Sequence, residues 1–143
     1  MPKSILKGAI KNMFLIVMGG FLYCLIEIVF RGYTYWSMGV VGGLSFFICG
    51  LVNEHFSMDM PIVKQMAICS IAITMIEFIT GCILNIWMGL DIWDYSNIPM
   101  NICGQICLPF SLAWFALSLP AIVLDDYLRY WFFDEERPYY QWR

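Results

Sequence analysis

Four apolar runs follow one another along the chain, each closed by a short polar break. They cover about 12–31, 37–56, 62–88 and 101–124. A membrane-crossing helix takes ~20 predominantly apolar residues. The pattern therefore predicts an all-α polytopic bundle of four transmembrane helices within one domain, 1–143. The first run outlasts the roughly 7–15 residues of a signal-peptide core and carries Glu27, so it is read as a retained span. Tyr33, Tyr35 and Trp36 mark an aromatic hinge suited to an interface. The second run carries Gly39 and Gly43, a spacing that lets helices approach closely, and ends at Asn53, Glu54 and His55. Ser57, Met58 and Asp59 make a turn, and Pro61 stands where a helix can begin. Pro109 and Pro120 interrupt the fourth run. Beyond it, Arg129, Arg137 and Arg143 mix with Tyr127, Tyr130, Trp131, Phe132 and Phe133. That mixture predicts an interfacial segment over 125–143.

Composition strengthens the membrane reading. The chain is 143 residues long, 61% hydrophobic and 13% charged, against about 25% charged in a soluble domain. Charge position says more than the net −3. With four spans both termini share a side, and that side holds Lys3, Lys7, Lys11, Lys64, Arg129, Arg137 and Arg143, leaving only Arg31 opposite. Basic residues concentrate on the cytoplasmic side. Both termini are therefore expected inside, with the loop at 89–100 and the 31–36 hinge facing outward.

Several chemistries drop out. No basic, aromatic-interleaved loop suits nucleic acid. Cys24, Cys49, Cys69, Cys82, Cys103 and Cys107 lie in apolar stretches without a C-x-x-C pair and are expected as buried free thiols. Cys103 and Cys107 would share a helix face, with no histidine beside them to complete a metal site. The sequence contains no phosphate-binding loop, H-E-x-x-H or G-x-S-x-G. No cofactor or metal is expected.

Polar residues inside the spans carry the candidate site, because an ionisable group at the bilayer centre costs about 2.5–3.5 kcal/mol even on the mildest scale. At about 100° per residue, Ser70, Thr74, Glu77, Gly81 and Asn85 fall within an arc of roughly 80°. Ser70 and Thr74 suit interhelical hydrogen bonds; Glu77 suits either that role or a functional one. Glu27 and Arg31, four apart, are placed for an ion pair, a structural role as well supported as a substrate contact. Asn101 and Gln105 would share a face of the fourth helix, where Pro109 removes the donor for the Gln105 carbonyl. Under the four-span topology Glu27, Arg31, Asn85, Asn101 and Gln105 gather in the outer half of the bilayer, with Glu77 just below. Trp93, Asp94, Tyr95 and Ser96 would form a lid, with Asp94 buried and paired to Arg31 or a neighbouring span. Glu54 and Gln65 are expected to cap or pair with Lys64 rather than line the site.

Residues 17–130 resemble the CmpB-like, ABC-transporter type IV family of small bacterial membrane proteins. The resemblance rests on Trp93-Asp94-Tyr95-Ser96, Pro99, Asn101, Gly104, Ile106-Cys107-Leu108 and Trp114, and on Glu27 with Arg31. Many members carry arginine where this chain has Gln105. The resemblance implies a multi-pass protein of the bacterial plasma membrane. This chain lacks the ATPase motifs. The leading expectation is a transporter, or a permease-like membrane subunit of one, acting on a small molecule or ion through an outer-half polar site. Its partners would be the lipid bilayer and either further copies of itself or a larger membrane protein. The alternatives are a membrane scaffold or sensor that binds a larger partner and, third, a small lipid-modifying enzyme, with a non-enzymatic role favoured.

Overall fold

The computed structural model describes residues 3–55 and 60–140, with the side chains of Asn53, Glu54 and His55 outside that description. The expectations placed on those three side chains and on Ser57, Met58 and Asp59 therefore lie outside the described residues. The elements in chain order are α1 (Lys3–Arg31), α2 (Trp36–His55), α3 (Ile62–Gly81), a π-helical turn continuing it (Cys82–Trp87), β1 (Asn101–Ile102), β2 (Ile106–Cys107) and α4 (Leu108–Phe133). Three helical stretches are long and apolar enough to cross a membrane, namely Lys3–Arg31, Ile62–Trp87 and Leu108–Phe133; the apolar stretch Trp36–Val52 is shorter.

Helix α2 contacts each of the other three helices, while α1 packs mainly on α2, and α3 on α4. Between lipid-facing helices there is no hydrophobic driving force, so close packing and hydrogen bonds must hold them. Both are present. A Cβ on Gly20 would stand 2.5 Å from the Gly39 carbonyl oxygen, and one on Gly42 2.5 Å from the Tyr23 Cβ. Any side chain at either glycine would push α1 off α2. Across α3 and α4, Ser70 Oγ donates to the Ser111 carbonyl at 2.7 Å, and the Thr74 and Ser111 hydroxyls meet at 2.9 Å. Cys49, Val52, Ile62, Met66, Cys69 and Ile122 form the core where α2, α3 and α4 meet near the end that carries the termini. The outer faces carry exposed apolar side chains such as Val17, Phe21, Ile71, Met75 and Leu112, as a lipid-bathed surface requires. Phe30, Trp36 and Trp87 are exposed at the opposite, loop end.

Three expectations need correction. The fourth helix starts at Leu108, not Asn101; residues 101–107 pair as an antiparallel β1–β2 ribbon, Asn101 opposite Cys107. Met100, Cys103 and Gly104 adopt positive φ of 58°, 55° and 71°, a left-handed backbone that no α-helix continues through. Asn101 and Gln105 therefore share no helix face, and neither do Cys103 and Cys107. Pro109 does not break a helix. It sits in the first turn of α4, where its fixed φ is preorganised and its missing N–H has no partner to lose. The fourth helix does not end at Leu124. Residues 125–133 continue α4, and 134–140 fold back so that Tyr140 packs against the core. Three of the six free cysteines are buried, but Cys103 is exposed in the ribbon turn.

Candidate functional site

Between the helices lies a cavity of about 320 Å³. Its walls are apolar: Leu22 and Ile26 from α1, Val41 and Phe46 from α2, Ile73 from α3, Leu117 and Ala121 from α4. Glu77 brings the carboxylate into that wall, and Trp93, Trp114 and Tyr23 bring aromatic faces. Glu77 is 7% exposed. Its Oε2 accepts from the Tyr95 hydroxyl at 3.0 Å and its Oε1 from the Trp114 indole N–H at 3.3 Å. Tyr95 stacks on Phe110 with ring centroids 4.6 Å apart. Burial, with the Glu77 carboxylate beside it, pushes the Tyr95 phenol up from its ordinary value, so it stays protonated and donates.

The loop reaches Glu77 because a second buried network holds it down. Asn85 projects from the π-helical turn. Its Oδ1 accepts from the backbone N–H of Ile92 at 2.7 Å and of Trp93 at 3.4 Å, while its Nδ2 donates to Gln105 Oε1 at 2.8 Å. Gln105 Nε2 returns a bond to the Cys103 carbonyl, and the Trp93 indole donates to the Gln105 carbonyl at 3.0 Å. That carbonyl, expected to be freed by Pro109, is thus occupied. A Cβ on Gly81 would stand 2.5 Å from Gln105 Oε1 and 3.0 Å from Trp93. A bare backbone there lets ribbon and helix meet.

Of the lid residues, Trp93 and Tyr95 turn inward. Asp94 and Ser96 do not: Asp94 is fully exposed and pairs with neither Arg31 nor another span. Its Oδ1 accepts from the Ser96 hydroxyl and from the Ser96 N–H, the latter at 2.9 Å. The loop closes a local turn on the carboxylate, so its charge stays in water. Asn101 also serves the loop, donating to the carbonyls of Ser96 and Ile98 and accepting from the Gly104 N–H. The Ser96 hydroxyl, then its N–H, holds Asp94 below its ordinary value of 3.8. A depressed carboxyl contributes stability above its unfolded value and loses it as pH falls through the folded one. The Ser96 amide resonance should therefore stay constant from about pH 6 to 5 and move only in stronger acid, and Asp94→Asn should abolish that titration. A Ser96 amide that titrates near neutral pH would refute the assignment.

Glu27 and Arg31 form the expected pair, Arg31 Nε to Glu27 Oε2 at 2.7 Å. The guanidinium also lies 4.9 Å from the Tyr33 ring centroid. Glu27 is buried but does not line the cavity; Tyr23, which does, stands one turn before it on α1. The anticipated outer group thus resolves into three. Glu77 meets the loop through Tyr95, Asn85 and Gln105 bond the loop to the π-helical turn, and Glu27 with Arg31 stands alongside on α1. Gln65 is fully buried and donates to the Met60 carbonyl at 2.9 Å.

A fourth group escaped the sequence reading. Asp125, Asp126 and Arg129 are all buried near the other end of the bundle. Arg129 Nε meets Asp125 Oδ2 at 2.8 Å, Lys11 meets Glu135 at 3.1 Å, and Tyr140 donates to Asp126 at 2.9 Å. The Asp125 carboxylate lies directly against Gly50. Its sequence signal was the i, i+4 spacing of Asp125 and Arg129, the same that exposed Glu27 and Arg31.

The family model described as "Putative ABC-transporter type IV" matches residues 14–134. The chain belongs to that family. The family match takes in α2, α3, the lid, α4 and every residue from Glu27 through Arg129 discussed above. With its apolar helices, family membership makes the chain a multi-pass membrane protein. The comparison with curated proteins gives no match, and neither does the comparison with solved structures.

Proposed function

We propose that the chain is a transporter, or the permease-like membrane subunit of one, and that the Glu77 cavity is its solute site. The observation that carries this reading is a carboxylate in the wall of an apolar cavity, covered by a loop whose Tyr95 reaches it. Ionisable groups at membrane depth mark substrate and ion pathways. In this reading all four helices span the plasma membrane of a bacterium. The concentration of basic residues puts both termini in the cytoplasm and the loop at 89–107 outside. Asn85 and Gln105 latch the outer cover, and Asp125, Arg129 and Tyr140 close the inner end. A single small bundle gives little room for an aqueous path, so copies of the chain act together.

Alternating access supplies a test that needs no known solute. Ser45 lines the cavity from α2. In a chain otherwise free of cysteine, Ser45→Cys in sealed vesicles should react with a membrane-impermeant maleimide added from either face. Labelling from neither face, or from one only, would remove the transport reading.

A further inference from the structure

The geometry points to an organic ammonium ion of about ten non-hydrogen atoms as the ligand of the Glu77 cavity. This deepens the transport reading and rests on its choice of Glu77 as the anchor.

Charge is the first ground. Both hydrogen bonds that Glu77 accepts come from neutral groups, the Tyr95 hydroxyl and the Trp114 indole. Arg31, the cation on the lid side of the bundle, is engaged by Glu27 at 2.7 Å and by the Tyr33 ring. The cavity therefore presents a carboxylate with no protein cation set against it among the described contacts. An anion would be repelled, and a neutral apolar molecule would leave the charge as it stands.

Wall chemistry is the second ground. A hard metal ion takes six or more oxygen ligands, and the side chains of these walls supply only the Glu77 carboxylate and the hydroxyls of Ser45 and Tyr23. An ammonium with apolar substituents needs no such shell. Its charge offsets Glu77 and its substituents leave water for Leu22, Ile26, Val41 and Leu117. The faces of Trp93, Trp114 and Tyr23 attract a cation through their quadrupoles, Trp most strongly. The Tyr23 and Trp114 rings are 6.3 Å apart, centroid to centroid, so one cationic head can lie near both. Size is the third ground. At ~30 Å³ per water-sized unit, about 320 Å³ holds a molecule of the stated size.

The test titrates the full chain in lipid nanodiscs with benzyltrimethylammonium, its neutral carbon isostere neopentylbenzene, and benzenesulfonate. The cation should bind saturably, at least about tenfold tighter than the isostere, a difference of ~1.4 kcal/mol. The sulfonate should not bind. Glu77→Gln should lower cation affinity to that of the isostere and leave the isostere unchanged. If that variant does not fold, the wild-type comparison of cation with isostere decides alone. Equal affinity for the two, or no saturable cation binding, overturns the proposal. Two-sided labelling of Ser45→Cys alongside either result would keep the transport reading and discard only the ligand class.

Discussion

Replacing Asn85 with leucine should open the loop at 89–107 while leaving the helices in place. One side chain satisfies the N–H groups of Ile92 and Trp93 and the Oε1 of Gln105. Leucine is of similar size and satisfies none of them. A buried polar group left without its partner costs about 1–3 kcal/mol, so three together, one of them long at 3.4 Å, should cost about 3 kcal/mol or more. Cys107 reports the opening, since it is only 2% exposed in the ribbon that Gln105 anchors. With Cys107 as the sole cysteine, its labelling rate should rise about a hundredfold in Asn85→Leu, following the tenfold change per ~1.4 kcal/mol. The double variant Asn85→Leu/Gln105→Leu should label at a rate well below the product of the two single effects, because the residues share a bond. An unchanged rate in Asn85→Leu would mean that the latch does not hold the loop.

Arg129→Met should be the most destabilising single change at the terminal end. It removes the guanidinium from Asp125, which is fully buried, and leaves Asp126 and Glu135 beside it. Stranding one partner of a buried pair costs about 3–5 kcal/mol. Asp125 cannot swing clear, because its carboxylate is lodged against the Gly50 backbone. Adding Asp125→Asn removes the stranded charge and should restore more than half of the loss. Thermal unfolding in mild detergent would measure both. Strict additivity of the two substitutions would show that Asp125 and Arg129 do not act as a pair.

Legibility divided along physical lines. Helices α1 to α3 came from length and apolar content, and the Glu27–Arg31 pair from a spacing that only a helix satisfies. The stripe of polar and small residues on α3 was also legible, and Ser70, Glu77, Gly81 and Asn85 are its buried members. The ribbon at 101–107 was not. Its Ile102, Ile106 and Cys107 have the composition of a span, and the clue lay in the turn: Asn101 three residues before Gly104, which takes positive φ. Asp94 misled because a carboxylate between aromatic residues suggests burial, whereas Ser96 two residues on gives it a local partner. Asp125 misled in the opposite sense. Charges followed by Tyr127, Tyr130 and Trp131 look interfacial, and only tertiary packing buries them. Trp114 entered through family resemblance, and nothing in its own surroundings marked it as a donor to Glu77.

The π-helical turn sets the relation between the buried carboxylate and its cover. From Cys82 to Trp87 the bonds reach five residues on, as from the Met88 N–H to the Ile83 carbonyl at 2.9 Å. Such a turn holds one residue more than the α-helical turn it replaces. Remove that residue and the helix regularises, but everything beyond it rotates by about 100°. The pairing of Glu77 with Tyr95 is therefore written partly as a count of residues: α3 carries one inserted unit of chain, and the alignment of the loop with Glu77 depends on that number as much as on any side chain.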